Sequence, residues 1–161
     1  MNTSNLWSLR LGFSGKQSSL IEKDFKNFLK KSFDSKIDTS IPEALIDSPK
    51  TTEDLKAKRD YLKNADPTEK KKYITEENKV NLELKAWWLE KMATEELPLR
   101  EKMTCFWHNH YVATFQKVKV NYWVYQHNQL LRENAFGNFR ELTKKVLRTN
   151  AIVRYLDTVS Y

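Results

Sequence analysis

Residues 105–115 read "CFWHNHYVATF" and hold two of the chain's three histidines and its only cysteine, the side chains most able to ligate a metal or move a proton near neutral pH. Their spacing decides what chemistry is open to them. On a regular helix His108 and His110 point about 200° apart, so the two do not readily share one ion. Cys105 and His108 stand at i, i+3 and could supply two ligands. Tetrahedral zinc needs four, and the chain has no second cysteine. The letters His-Asn-His also name a nuclease motif. There the three residues are spread over a hairpin and a helix around a metal, so three adjacent residues in an apolar helix do not match it.

The residue pattern favours a buried polar network. On a helix beginning at Pro98, Leu99, Met103, Phe106 and His110 fall on one stripe with Trp107 and Tyr111 beside it. His110 is therefore expected to face the core, while His108 shares another face with Glu101 and Cys105. Partners are available in "VYQHNQLLREN": His127 lies one turn from Trp123 and Leu131, Asn128 one turn from Arg132, and Arg132 next to Glu133. Such groups must be satisfied, because a buried polar atom without a partner costs about 1–3 kcal/mol. A catalytic or ligand site made from the same groups, with His108, His110 and Arg132 as its reactive members, is the alternative.

Helices must position these residues. Glycine occurs only at 12, 15 and 137, and proline only at 42, 49, 67 and 98, so long stretches lack turn signals. Leu20, Ile21, Phe25, Phe28, Leu29 and Phe33 recur at three-to-four-residue spacing and predict one helix from about Lys16 to Phe33. Residues 34–50, "DSKIDTSIPEALIDSPK", carry two prolines and many short polar side chains and predict a mobile connector. A charged helix follows from Thr51 or Thr52 to about Lys63. Asp66 as cap, Pro67 in the first turn and Glu69 reaching back to the cap amide then start a helix that can run to Glu96, roughly 45 Å. Its apolar stripe is Tyr73, Val80, Leu84, Trp87 and Trp88. Pro98 ends it and starts the next. Asn138 and Glu141 have capping-box spacing, and Gly137 is expected to close the preceding helix in left-handed geometry. The fold class is all-α, an irregular bundle of about six or seven helices with one long member, in a single domain over 1–161.

With one cysteine no intramolecular disulfide forms, and no apolar run reaches the roughly 18 residues of a membrane helix. "LWSLRLGF" is broken by Arg10 and lacks a cleavage pattern, so a soluble, cytoplasmic protein is expected. The net charge of +7 is uneven: residues 1–97 hold 18 basic and 17 acidic side chains, residues 98–161 hold 10 and 4, with 11 of the 20 aromatics. Lysines beside aromatics suit nucleic acid. Helical spacing of those aromatics favours a core instead, and the surplus charge suits an acidic partner segment.

"PLREKMTCFWHNHYVATFQKVKV", then "NQLLRENAFGNFRELTKKV" and "AIVRYLD", resemble in order the bacterial domain-of-unknown-function family DUF 1800, over about Trp87 to Asp157. "LWSLRLGFS" is similar to the family opening. The resemblance picks out Trp107, His108, Asn109, His110, Asn128, Arg132, Gly137, Asn138, Phe139, Tyr155, Leu156 and Asp157. Asn109, Asn138 and Asp157 thereby join His127, Asn128, Arg132 and Glu133 as candidates for ligand binding or for the polar network. The sequence departs from the family where Asn5 replaces a histidine, where Thr149, Asn150, Ala151 and Ile152 replace Asn-Pro-Ala-Met, and at Cys105, where the family is apolar.

Family members run to several hundred residues, with a segment rich in Asn, Glu and Arg soon after the Tyr-Leu-Asp, and are often exported. The chain is accordingly expected to be an N-terminal portion. Three functions follow as expectations. The first is a truncated, non-catalytic helical scaffold or interaction module, partnered by the missing C-terminal segment or by self-association through exposed aromatics. The second is half of a hydrolase-like enzyme, completed by C-terminal carboxylates and a divalent metal ligated by His108 or His110. Nucleic-acid binding ranks last, as no recognition motif is legible.

Overall fold

The computed structural model describes residues 2–158. Among them lie ten α-helices: α1 (Thr3–Leu11), α2 (Ser18–Lys23), α3 (Phe25–Phe33), α4 (Thr52–Asn64), α5 (Pro67–Thr94), α6 (Leu99–His110), α7 (Phe115–Val118), α8 (Asn121–Glu133), α9 (Phe139–Val146) and α10 (Asn150–Tyr155). The fold is all-α with one long helix, as the periodicity predicts. None of these helices is long and apolar enough to cross a membrane.

Local chemistry sets most helix starts. The Thr51 hydroxyl accepts from Asp54 N while the Asp54 carboxylate accepts from Thr51 N, closing a capping box on α4. Asp66 accepts from the amides of Thr68 and Glu69 ahead of α5. The Glu69 carboxylate does not return to the cap; it accepts from the Tyr61 hydroxyl. Asn138 caps α9 through Glu141 N, and Thr149 caps α10 through Ile152 N.

Three expectations change. The helix foreseen over 16–33 breaks at Asp24, which adopts extended backbone (φ −161°) and accepts from Asn27 N, so α3 starts with its own cap. That break, with the short α7 and an unforeseen α1, raises the helix count above six or seven. Gly137 is not left-handed: its amide donates to Asn134 O in a tight turn after α8, and the positive-φ residues are Lys119 and Asp157. Segment 34–50 is fastened rather than loose. It contains a 3-10 turn, Glu43–Leu45, and gives backbone oxygens at Asp38, Ser40 and Lys50 to Gln129, Tyr125 and Trp123 of α8.

α8 is the axis of the core. Trp123 and Leu131 pack with Val118, Leu142, Val146 and Ile152 from α7, α9 and α10. Tyr125 packs with Leu84 of α5 and with Leu45. Asn121, His127, Asn128, Gln129 and Arg132 are buried on the same helix, so nearly every side of α8 is covered although half of those sides are polar. Arg100 fastens α3 to α6 and α8: its guanidinium donates to the carbonyls of Phe33, Ser35 and Arg132, adding a positive charge where the C-termini of α3 and α8 meet.

Candidate functional site: a buried ion pair and an outward aromatic face

α6 presents its polar stripe to the core and its aromatic stripe to the outside. Glu101 and Thr104 are buried and His108 is half-buried, whereas Phe106 is 56% exposed and His110 is exposed. The expectation that His110 faces the core is therefore corrected. The reason is a single pairing. Arg132 (1% exposed) donates through Nε to Glu101 Oε1 and through Nη2 to Glu101 Oε2 at 3.0 Å, and Glu101 itself is 4% exposed. A bidentate guanidinium–carboxylate pair repays part of the cost of burying both ions only when the remaining donors and acceptors are also met. Here they are met: Arg132 also donates to Gln129 Oε1 at 2.8 Å and to Asn128 Oδ1 at 2.7 Å, and Glu101 Oε2 accepts from Trp88 Nε1 at 2.9 Å. The Trp87 ring lies 5.2 Å from the guanidinium and adds a cation–π contact. Turning α6 to bury Phe106 and His110 would break all of this.

Arg132 thus has its carboxylate within the described chain and does not await one from elsewhere. Arg132 and Glu101 are saturated by one another and by neutral groups, which suits them to hold α5, α6 and α8 in register rather than to exchange protons with a substrate.

His108 and His127 lie beside this pair, their ring centroids 5.9 Å apart, with Trp88 5.0 Å from His108. His127 Nε2 lies 2.7 Å from the Tyr111 carbonyl, an acceptor, so Nε2 carries the proton and Nδ1 is a bare acceptor. Burial, helped by the neighbouring His127, pushes the His108 pKa down to about 4; burial also lowers that of His127, with the Tyr111 carbonyl acting against it. Both are neutral at pH 7. An unfolded histidine titrates near 6.5, so between that value and about 4 the unfolded chain binds the extra proton and stability falls as pH falls. Allowing for partial exposure, His108 is expected to withdraw about 2 kcal/mol by pH 4.5. Urea midpoints at pH 7 and 4.5 check this: His108→Phe should drop less between the two pH values than the native chain, and equal drops would refute the assignment.

The other candidates are scattered. Asn109 and Glu133 are exposed, Asn138 serves as the α9 cap, and Asp157, also exposed, reaches Lys117 at 3.1 Å. His110 sits outside against Trp107, Tyr111 and Phe139, away from the buried Arg132. Among the described residues no three His, Cys, Asp or Glu side chains converge as possible metal ligands. Gln129 went unnoticed in the sequence, although Asn128, Gln129 and Arg132 at i, i+1 and i+4 already define one polar helix face. Glu101 was visible on the His108 face, but nothing local announces that this face turns inward.

On the outer side, Phe106, Trp107, His110 and Phe139 form one aromatic patch. Phe106 and Trp107 are 4.9 Å apart and Trp107 and Phe139 5.8 Å, with Phe139 54% exposed. The Trp107 indole is anchored by donating to Ala135 O.

A family model described as "Protein of unknown function (DUF1800)" matches residues 7–160, reaching well beyond the stretch from Trp87 onward that carries the family motifs. No curated protein and no solved structure matches the chain.

Proposed function

The chain belongs to the DUF1800 family of proteins of unknown function, and from that premise we propose that it is a helical interaction module whose outward aromatic face on α6 and α9 receives an acidic, apolar protein segment. The observation that carries this reading is the exposure of Phe106 and Phe139 around an anchored Trp107. Large aromatics clustered in water are a cost that a covering surface removes, and aromatic anchors ringed by polar groups are the usual centre of such surfaces. Charge selects the occupant. Lys102 stands one turn before Phe106 and exposed Arg140 follows Phe139, within a segment of 10 basic and 4 acidic side chains. A second copy would bring like charge to like charge, whereas an acidic apolar helix is complementary.

Selection from a helical peptide library on the immobilised chain tests this. Enriched peptides are expected to combine acidic and apolar residues, to bind less tightly as salt rises, and to lose at least tenfold in affinity on Phe106→Asp/Phe139→Asp. Those exposed positions should leave the urea midpoint nearly unchanged. Enrichment without acidic bias, equal capture by the variant, or dimerisation through this face would each overturn the proposal.

A further inference from the structure

Between α5, α7 and α8, with His108 of α6 at its wall, lies a cavity of about 310 Å³. Trp87, Trp88, Phe115 and Tyr125 supply its aromatic walls; its polar lining is His108 and Asn128 with Asn81, Thr114 and Gln116. The size is at the small end of the range of about 300–1,000 Å³ typical of small-molecule sites, and aromatic walls with few convergent polar groups are their usual make-up.

Asn128 gives the cavity its direction. The residue is 5% exposed, and its Nδ2 has no partner among the described residues. Its amide orientation is fixed, because Oδ1 accepts from Arg132 Nη2 at 2.7 Å and a guanidinium can only donate. Nδ2 is therefore a donor without an acceptor, in a side chain that lines the cavity. The interior is also without net charge. Arg132 is offset by Glu101, His108 is neutral, no Asp or Glu is among the described lining residues, and the one lysine of the lining, Lys85, is exposed. An ionised ligand group would find no counter-charge inside, and its desolvation would go unpaid.

We propose that this cavity binds a small, planar, uncharged ring compound whose carbonyl or ring-nitrogen acceptor receives the Asn128 Nδ2 hydrogen while its faces lie against Trp87, Trp88 and Tyr125. The site is independent of the outward aromatic face and would stand if that face proved to bind nothing. Aromatic faces hold the ring through stacking and burial, and the buried, unpartnered Asn128 donor sets its orientation.

The test uses four probes on the full chain, read by tryptophan fluorescence and by ligand-observed NMR: isoquinolin-1-one and benzamide, each neutral with a carbonyl acceptor; naphthalene, flat but without an acceptor; and benzoate, charged. Isoquinolin-1-one is expected to bind saturably and at least tenfold more tightly than naphthalene or benzoate. Asn128→Asp keeps an oxygen for Arg132 but removes the donor, and should abolish that preference. Val124→Phe adds bulk at a half-buried wall position and should weaken all the probes that bind, which keeps the proposal testable if the Asn128 variant folds poorly. Naphthalene binding as tightly as isoquinolin-1-one, a preference unchanged by Asn128→Asp, affinities unchanged by Val124→Phe, or no saturable binding by any probe would overturn the assignment.

Discussion

Replacing Glu101 by leucine is expected to cost about 3–5 kcal/mol, because it leaves the Arg132 charge buried without a counter-ion. A domain of this size has about 5–15 kcal/mol in all, so the variant should be near its unfolding threshold. The Trp88 indole N–H would lose its acceptor in the same step. The double variant Glu101→Leu/Arg132→Met removes both charges and isolates the coupling. It should recover at least half of the loss, since an apolar pair of similar volume can replace a buried ion pair at little cost. Recovery will be incomplete, because Gln129 Oε1 and Asn128 Oδ1 are then left as acceptors without donors. Urea midpoints of the two single variants and the double variant give the cycle. A loss below about 1 kcal/mol for Glu101→Leu would mean that the pair does not set the orientation of α6.

That orientation is where sequence reasoning failed, and the failure has a physical cause. Leu99, Met103, Phe106 and His110 form the more apolar stripe of α6, and a rule that sends apolar stripes inward puts them in the core. Glu101 reads as solvent-facing by itself, and Arg132, a candidate for a buried network, does not name Glu101 as its carboxylate. They become interior residues only together, at a separation of 31 residues, and no local pattern contains that fact. α8 poses the same difficulty at Asn121 and Gln129, which look like surface positions until their partners are known, whereas His127 and Asn128 stand in the sequence as candidates for a buried polar network. What proved legible was local. Asp66 with Pro67 and Asn138 with Glu141 each act within three or four residues, and each caps the helix that the letters announce. Asp24 shows the limit of that approach: an aspartate inside an apolar period fits a helix interior by its spacing, although it is also a good cap. The candidate site divides the same way. Asn128 and Arg132 could be paired from their i, i+4 spacing, whereas the aromatic enclosure beyond them requires α5 and α8 to cross.

Replacing Leu45 by alanine tests the other departure, the connector. Leu45 is 0% exposed although it lies in a segment whose prolines and short polar residues predict mobility. Its side chain packs with Leu84 and Tyr125, and the segment around it is held by the Tyr125 hydroxyl on Ser40 O, by Gln129 on Asp38 O and by Lys91 on the Asp38 carboxylate at 2.7 Å. The Lys91 contact, with hydrogen bonds from Ser40, holds the Asp38 carboxyl well below the usual carboxylate range. If these ties make 34–50 an integral layer over α5 and α8, Leu45→Ala should cost about 3 kcal/mol in urea unfolding, as buried leucine truncations do. Limited proteolysis should then cut first within 34–50 in the variant, because removing the apolar anchor leaves only a few half-exposed polar contacts to hold the backbone down. A loose connector predicts a loss within about 0.5 kcal/mol and no change in cleavage. The same substitution reaches the cavity, since Tyr125 is both a neighbour of Leu45 and a cavity wall. A Leu45→Ala chain that binds isoquinolin-1-one more weakly, while keeping its preference over naphthalene, would show that the connector fixes the aromatic wall but not the polar groups that select the ligand.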